Sequence, residues 1–228
     1  MKDMCVLGIE LKDYSVKEAM RMVGQFLKDA KVDTVCFLST DILVSAGDNP
    51  DLKQWLESMD LTVPVSTEIL NAANLASRQR IKEVENSSFY TSLLKKISAE
   101  KRTVFLLTEK EETIGTTKEY LEKNAPGIQI AGTFAFENLS GDPDIIINEI
   151  NSTFSDIVIS RLPSPKQEQF IFENKAKVNA KLWVALKENF AAKEGKNNSK
   201  IKNLSTLIEK TIFRRIVSRY KNEQKKGE

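Results

Sequence analysis

The chain of 228 residues contains no histidine. That removes the commonest general base and the commonest metal ligand, and with them any Ser-His or Cys-His catalytic pair. Cysteine is nearly as scarce: Cys5 and Cys36 both lie in apolar stretches, and two reduced core thiols are expected rather than a disulfide or a metal pair. No apolar run approaches the roughly 18 residues that cross a bilayer. The opening MKDMCVLGIELKD carries an acid early and no long apolar stretch, so it does not read as a signal peptide. Glycine is thin, 9 residues or about 4% against a usual ~7%. What is present, 41% hydrophobic and 29% charged residues, belongs to an ordinary soluble globular domain.

The net charge of +2 hides an asymmetry. From Lys193 to Glu228 there are 11 Lys and Arg against 4 Asp and Glu, while the preceding 192 residues carry 23 basic and 28 acidic residues. A basic tail on an acidic body invites an anionic partner: membrane lipid, nucleic acid or an acidic protein face. Nucleic acid fits least, because only Phe213 and Tyr220 interleave with the basic residues.

The body alternates apolar runs with amphipathic stretches. Strands are expected at 4–9, 34–38, 61–65, 103–107, 128–132, 156–160 and 182–186. Helices are expected from the Ser15/Glu18 capping box to about Asp29, near 41–47 and 50–58, and at 66–76, 88–98, 111–124, 143–153 and 166–177. Apolar strands that do not alternate, each followed by a helix, predict a Rossmann-like α/β fold. Its sheet is mostly parallel and covered on both faces. The expected organisation is an α/β domain over 1–192, a Lys/Asn/Ser-rich linker or mobile loop over 193–203, and a basic amphipathic C-terminal helix within 204–228. In such a sheet, ligands bind beyond the carboxyl ends of the strands.

After the strand at 156–160 comes Arg161-Leu162-Pro163-Ser164-Pro165-Lys166-Gln167-Glu168-Gln169-Phe170-Ile171. This resembles the G-x-P-K-Q-E signature of the WecG/TagA/CpsF family of bacterial glycosyltransferases. The resemblance extends through Val6–Glu10, the segment from Phe105 to Thr133, and Phe190 with Gly195, so it covers nearly the whole chain. It implies a transferase that moves an N-acetylmannosamine-type sugar from a UDP donor to a polyprenyl-diphosphate-linked acceptor.

The departures from that pattern fall on the chemistry. Phe37 and Ser39 hold the places of the family's T-x-N. Pro64 is followed by Val65 and Ser66 where P-D-G should supply the base. Glu83 stands where an arginine is expected, L-L-G-G becomes Leu106-Leu107-Thr108-Glu109, and Phe136 and Glu137 replace a glycine and a tyrosine. Pro163 replaces the signature glycine, and Ala191 the aspartate after Phe190. Val65 cannot accept a proton, and a missing general base costs about 10²- to 10⁴-fold in rate. Acids after the strand at 103–107 occupy the field that a diphosphate would need, which weighs against a UDP-sugar.

The resemblance leaves Gln167 and Glu68 as stand-ins for catalysis, and Ser39, Ser66, Lys166 and Glu168 for substrate binding. Each also has a plainer reading as a helix cap or first-turn residue. No metal or cofactor is expected. Arg214, Arg215, Arg219 and Lys221 suit a membrane or partner contact, or equally the solvated face of a helix packed on the body. The leading expectation is a catalytically degenerate member serving as a binding, scaffold or regulatory subunit in cell-envelope polysaccharide synthesis. Its partner would be an active paralogue or a second copy, in the cytoplasm or at the inner face of the plasma membrane. An active hexosaminyl-type transferase with a relocated site and a membrane-surface adaptor are the alternatives.

Overall fold

The computed structural model describes residues 1–188, 190 and 200–227, with side chains for 1–188, 190 and 209–224. Six strands form one parallel sheet: β3 (Asp33–Leu38), β4 (Leu61–Pro64), β5 (Thr103–Thr108), β6 (Gln129–Ala135), β7 (Ile157–Leu162) and β8 (Leu182–Lys187), in the order β4-β3-β8-β7-β5-β6. The expected parallel α/β architecture is therefore present. Side chains alternate between the faces as a pleat requires. Val35, Val104, Leu106, Val184 and Leu186 join one core with helices α1 (Val16–Phe26), α6 (Ser88–Ala99) and α7 (Glu111–Asn124). Cys36, Phe105, Leu107, Trp183 and Ala185 join the other, with α2 (Thr40–Gly47), α3 (Pro50–Glu57), α4 (Thr67–Ala72), α8 (Asp144–Ser152) and α9 (Lys166–Asn174). Two apolar faces per strand explain why the runs are continuous rather than alternating.

Local signals hold where they are strong. The Ser15 hydroxyl accepts from the Glu18 amide, and the Glu18 carboxylate accepts from the Ser15 amide, closing the capping box of α1.

The segment expected as one strand at 4–9 is instead a hairpin of β1 (Lys2–Val6) and β2 (Ile9–Asp13), outside the main sheet. Leu7 and Gly8 turn it with φ of 54° and 74°, the positive pair of a tight hairpin turn. An extra helix, α5 (Arg78–Glu85), lies where no helix was expected, and Val84 is its one buried residue.

The C-terminal helix α10 (Lys200–Gly227) starts inside the stretch assigned to the linker, whose remainder, 193–199, lies outside the described residues. It packs on the body. Phe213 is 1% exposed and Val217 is buried beside α2 and α4. The Tyr220 hydroxyl lies against Gly8, where a β-carbon would stand 2.6 Å away. Among the described residues no helix is long and apolar enough to cross a membrane.

Candidate functional site

The carboxyl ends of the strands gather most of the residues singled out by the sequence, on both sides of the sheet. On the α6 side, Phe37 at the end of β3 is buried in an aromatic cluster. Its ring centroid is 5.7 Å from Phe89, 5.8 Å from Tyr90 and 5.6 Å from Phe190, and Tyr90 and Phe190 meet at 4.9 Å. Tilted and edge-on ring pairs at this range add to plain burial. The crevice left between these rings, Val16, Pro64 and Val65 holds only about 30 Å³. That is room for about one water, against the roughly 300 Å³ or more of a small-molecule site.

At the crevice rim, Arg80 neutralises the acids around it. Its Nε and Nη2 donate to Asp13 at 3.0 and 2.6 Å and its Nη1 to Glu83. Glu83 also accepts from Gln79 and the Val16 amide. The acid at the expected arginine position is thus answered by an arginine one helical turn earlier.

On the other side, Lys166 at the start of α9 donates to both carboxylate oxygens of Glu109, at 3.0 and 2.7 Å, and lies 4.0 Å above the Phe136 ring. Glu109 is the residue after β5. The amino end of α7 is occupied too, since the Glu111 amide donates to the Glu137 carboxylate at 2.6 Å. An ammonium group and a helix amino end are the groups a phosphate would seek. Here each already holds a carboxylate of the same chain.

Gln167 is buried with its amide committed to the scaffold. Its oxygen accepts from Ser160 Oγ at 2.9 Å and the Leu162 amide at 3.2 Å, and its nitrogen donates to the Leu186 carbonyl at 3.1 Å. Ser160 Oγ in turn accepts from the Trp183 indole at 3.0 Å. The arrangement ties β7 to β8 through Gln167.

Its neighbour Glu168 differs. It is 0% exposed, neither of its oxygens closes a hydrogen bond, and the buried Ser39 hydroxyl likewise has none. Burial pushes the Glu168 carboxyl above its usual range, helped by Asp41, while Ser164, Gln167 and its own amide act the other way at longer reach. Asp41 is paired to Lys187 at 2.8 Å. A carboxyl group that is protonated more readily than usual can exchange a proton or hold a water.

Glu68 and Ser66 belong to a separate cluster under α10. The Ser66 hydroxyl donates to Glu68, which is 4% exposed and also meets Lys210 at 3.3 Å and Arg214 at 3.2 Å. Burial pushes the Glu68 carboxyl up, but Ser66, its own amide and Lys210 outweigh that and hold it below the usual range. Lys221 donates to the Ala72 carbonyl at 2.8 Å, while Arg215 and Arg219 point to solvent.

Arg161, near the end of β7, was not singled out by the sequence reading. The signal was an arginine inside the apolar run Ile157–Leu162. It donates to Thr117 Oγ1 at 2.6 Å and to the Glu188 carbonyl at 2.7 Å.

With this geometry in view, comparison with known proteins is direct. The model of the glycosyl transferase WecG/TagA/CpsF family matches residues 4–198. One relative is an N-acetylglucosaminyldiphosphoundecaprenol N-acetyl-beta-D-mannosaminyltransferase of Bacillus spizizenii, 26% identical over 146 residues, or 64% of this chain. The match spans 56% of that protein's length. Since the family match runs over most of the chain, this protein belongs to the WecG/TagA/CpsF glycosyltransferase family.

Proposed function

We propose that this chain is a non-catalytic member of its family, acting as a binding, scaffold or regulatory subunit beside an active transferase of cell-envelope polysaccharide synthesis. The carrying observation is that groups of the chain itself occupy two places at its carboxyl edge where the chemistry would sit. Phe37 and its aromatic neighbours close the space beside Val65, and Glu109 neutralises Lys166. Losses that were merely tolerated would leave open space beside Val65 and a lone charge at Lys166; the first is packed with rings and the second is paired. The relative's named activity supplies the setting, a sugar transfer to a lipid diphosphate. The partner is an active paralogue or a second copy, and the exposed Arg215 and Arg219 suit an anionic membrane surface at the cytoplasmic face. Mixing the protein with an active paralogue and measuring sedimentation and transfer rate tests this reading. Neither association nor a change in rate would overturn it, as would turnover of a UDP-sugar by the chain alone.

One observation favours a second reading, an active transferase with a relocated acid or base. Glu168 is a buried carboxyl with both oxygens unbonded at the carboxyl edge. Turnover of a UDP-sugar by the intact protein, lost in Glu168→Gln, would establish it.

A further inference from the structure

At the carboxyl edge the chain answers its cations with its own carboxylates. Lys166 has Glu109, Lys187 has Asp41, and Arg80 has Asp13 and Glu83. Arg161 breaks the pattern. Among the described residues no carboxylate is within ion-pairing distance of it, although it is half-buried. Its two bonds go to neutral oxygens, the Thr117 hydroxyl and the Glu188 carbonyl, and its Nε is buried with no acceptor at all. A guanidinium carries five N–H donors, so among the described residues most of its capacity is unused.

Partial burial of a charge without a close ion pair is costly, and the more distant Glu188 carboxylate offsets only part of that cost. The surroundings are suited to a ligand. Tyr90, from the aromatic cluster, is close enough to interact electrostatically with the guanidinium. The residue is not sealed off, since part of it remains accessible between α7 and the end of β8. Burial draws the guanidinium below its ordinary value, with Tyr90 and Glu188 partly opposing, the direction expected of a cation that lacks a close anion.

We propose that Arg161 is the receptor of a small oxyanion, a phosphate or carboxylate group, bound at the end of β7 between Thr117, Tyr90 and the Glu188 carbonyl. The ligand's oxygens take the guanidinium donors that the described residues leave unused, in the forked geometry arginine offers. This site is separate from Lys166, which lies on the opposite face of the sheet. It does not depend on whether the chain catalyses transfer.

The test is titration of the intact protein with inorganic phosphate, pyrophosphate and acetate, each against potassium chloride of equal ionic strength. Binding is read by calorimetry and by the unfolding midpoint. At least one of the three anions should raise the midpoint by several degrees near saturation. Phosphate or pyrophosphate alone would assign the site to phosphoryl groups, and acetate alone to carboxylates. Arg161→Gln should weaken binding about tenfold to hundredfold, Arg161→Lys about tenfold, and the exposed Arg21→Gln not at all. Absence of binding by all three anions to the unaltered protein would overturn the proposal, and so would equal binding by Arg161→Gln. UDP-sugar turnover, measured separately, would refute the non-catalytic reading and leave this result standing.

Discussion

Gln167→Leu separates a catalytic glutamine from a structural one. Leucine is of similar size and keeps the packing, but it removes both ends of an amide that serves three buried groups. The Leu162 N–H and the Ser160 hydroxyl lose their acceptor, and the Leu186 carbonyl loses its donor. Each buried group left unsatisfied costs about 1–3 kcal/mol. Partial relief through water or small shifts brings the sum to roughly 3–6 kcal/mol, a large part of the ~5–15 kcal/mol that holds a domain together. For a chain of this size that lowers the unfolding midpoint by on the order of 10 °C or more. Urea unfolding followed by tryptophan fluorescence is the assay, because Trp183 donates into the same network. A Gln167→Leu protein within about 1 kcal/mol of the parent, with an unchanged denaturant slope, would refute the reasoning.

Three further outcomes are expected. Truncating Phe213 to alanine removes a ring that is 1% exposed, a change worth about 3–5 kcal/mol in a core; it should release α10 from the body, seen as fast amide hydrogen exchange along the helix with the sheet still protected. Arg80→Ala leaves the nearly buried Asp13 and its neighbour Glu83 without their cation, a loss of about 3–5 kcal/mol by chemical denaturation that the double change with Asp13→Asn should partly restore. Glu168 has its folded-state proton affinity raised by burial. The folded state therefore holds the proton to higher pH than the unfolded chain does, and stability falls as pH rises from the ordinary carboxylate range through the raised value. Glu168→Gln should flatten that slope, and an unchanged pH profile of the midpoint would contradict it.

Much of the fold was legible because its signals are local. The strand at 103–107 reads as buried on both faces from its composition, and the capping box reads from three residues' spacing. The hairpin did not read, because Leu7 sits in an apolar run and takes a positive φ, beside that of Gly8, which no leucine signals. Helix α5 did not read, because Arg78–Glu85 buries Val84 alone and lacks an apolar stripe. The site was half legible. Positions departing from the family pattern could be named, yet what refills them comes from far along the chain. Glu109 and Lys166 are 57 residues apart, and Glu68 and Arg214 are 146 apart. Gln167 and Glu168 are adjacent in sequence and opposite in fate, because one amide finds three partners inside the sheet while the next carboxyl finds none. No propensity encodes that difference.

The aromatic cluster around Phe37 has a consequence for durability. A cleft that receives a sugar nucleotide must be held open, with polar groups waiting unsatisfied and apolar walls wetted, and such readiness subtracts from the free energy of folding. Rings meeting at 5 to 6 Å leave no apolar wall wetted around Phe37. The interior around Phe37 is continuous with the core of that face, so the end of β3 should open only with that core, seen as amide protection of Val35–Leu38 close to the global value.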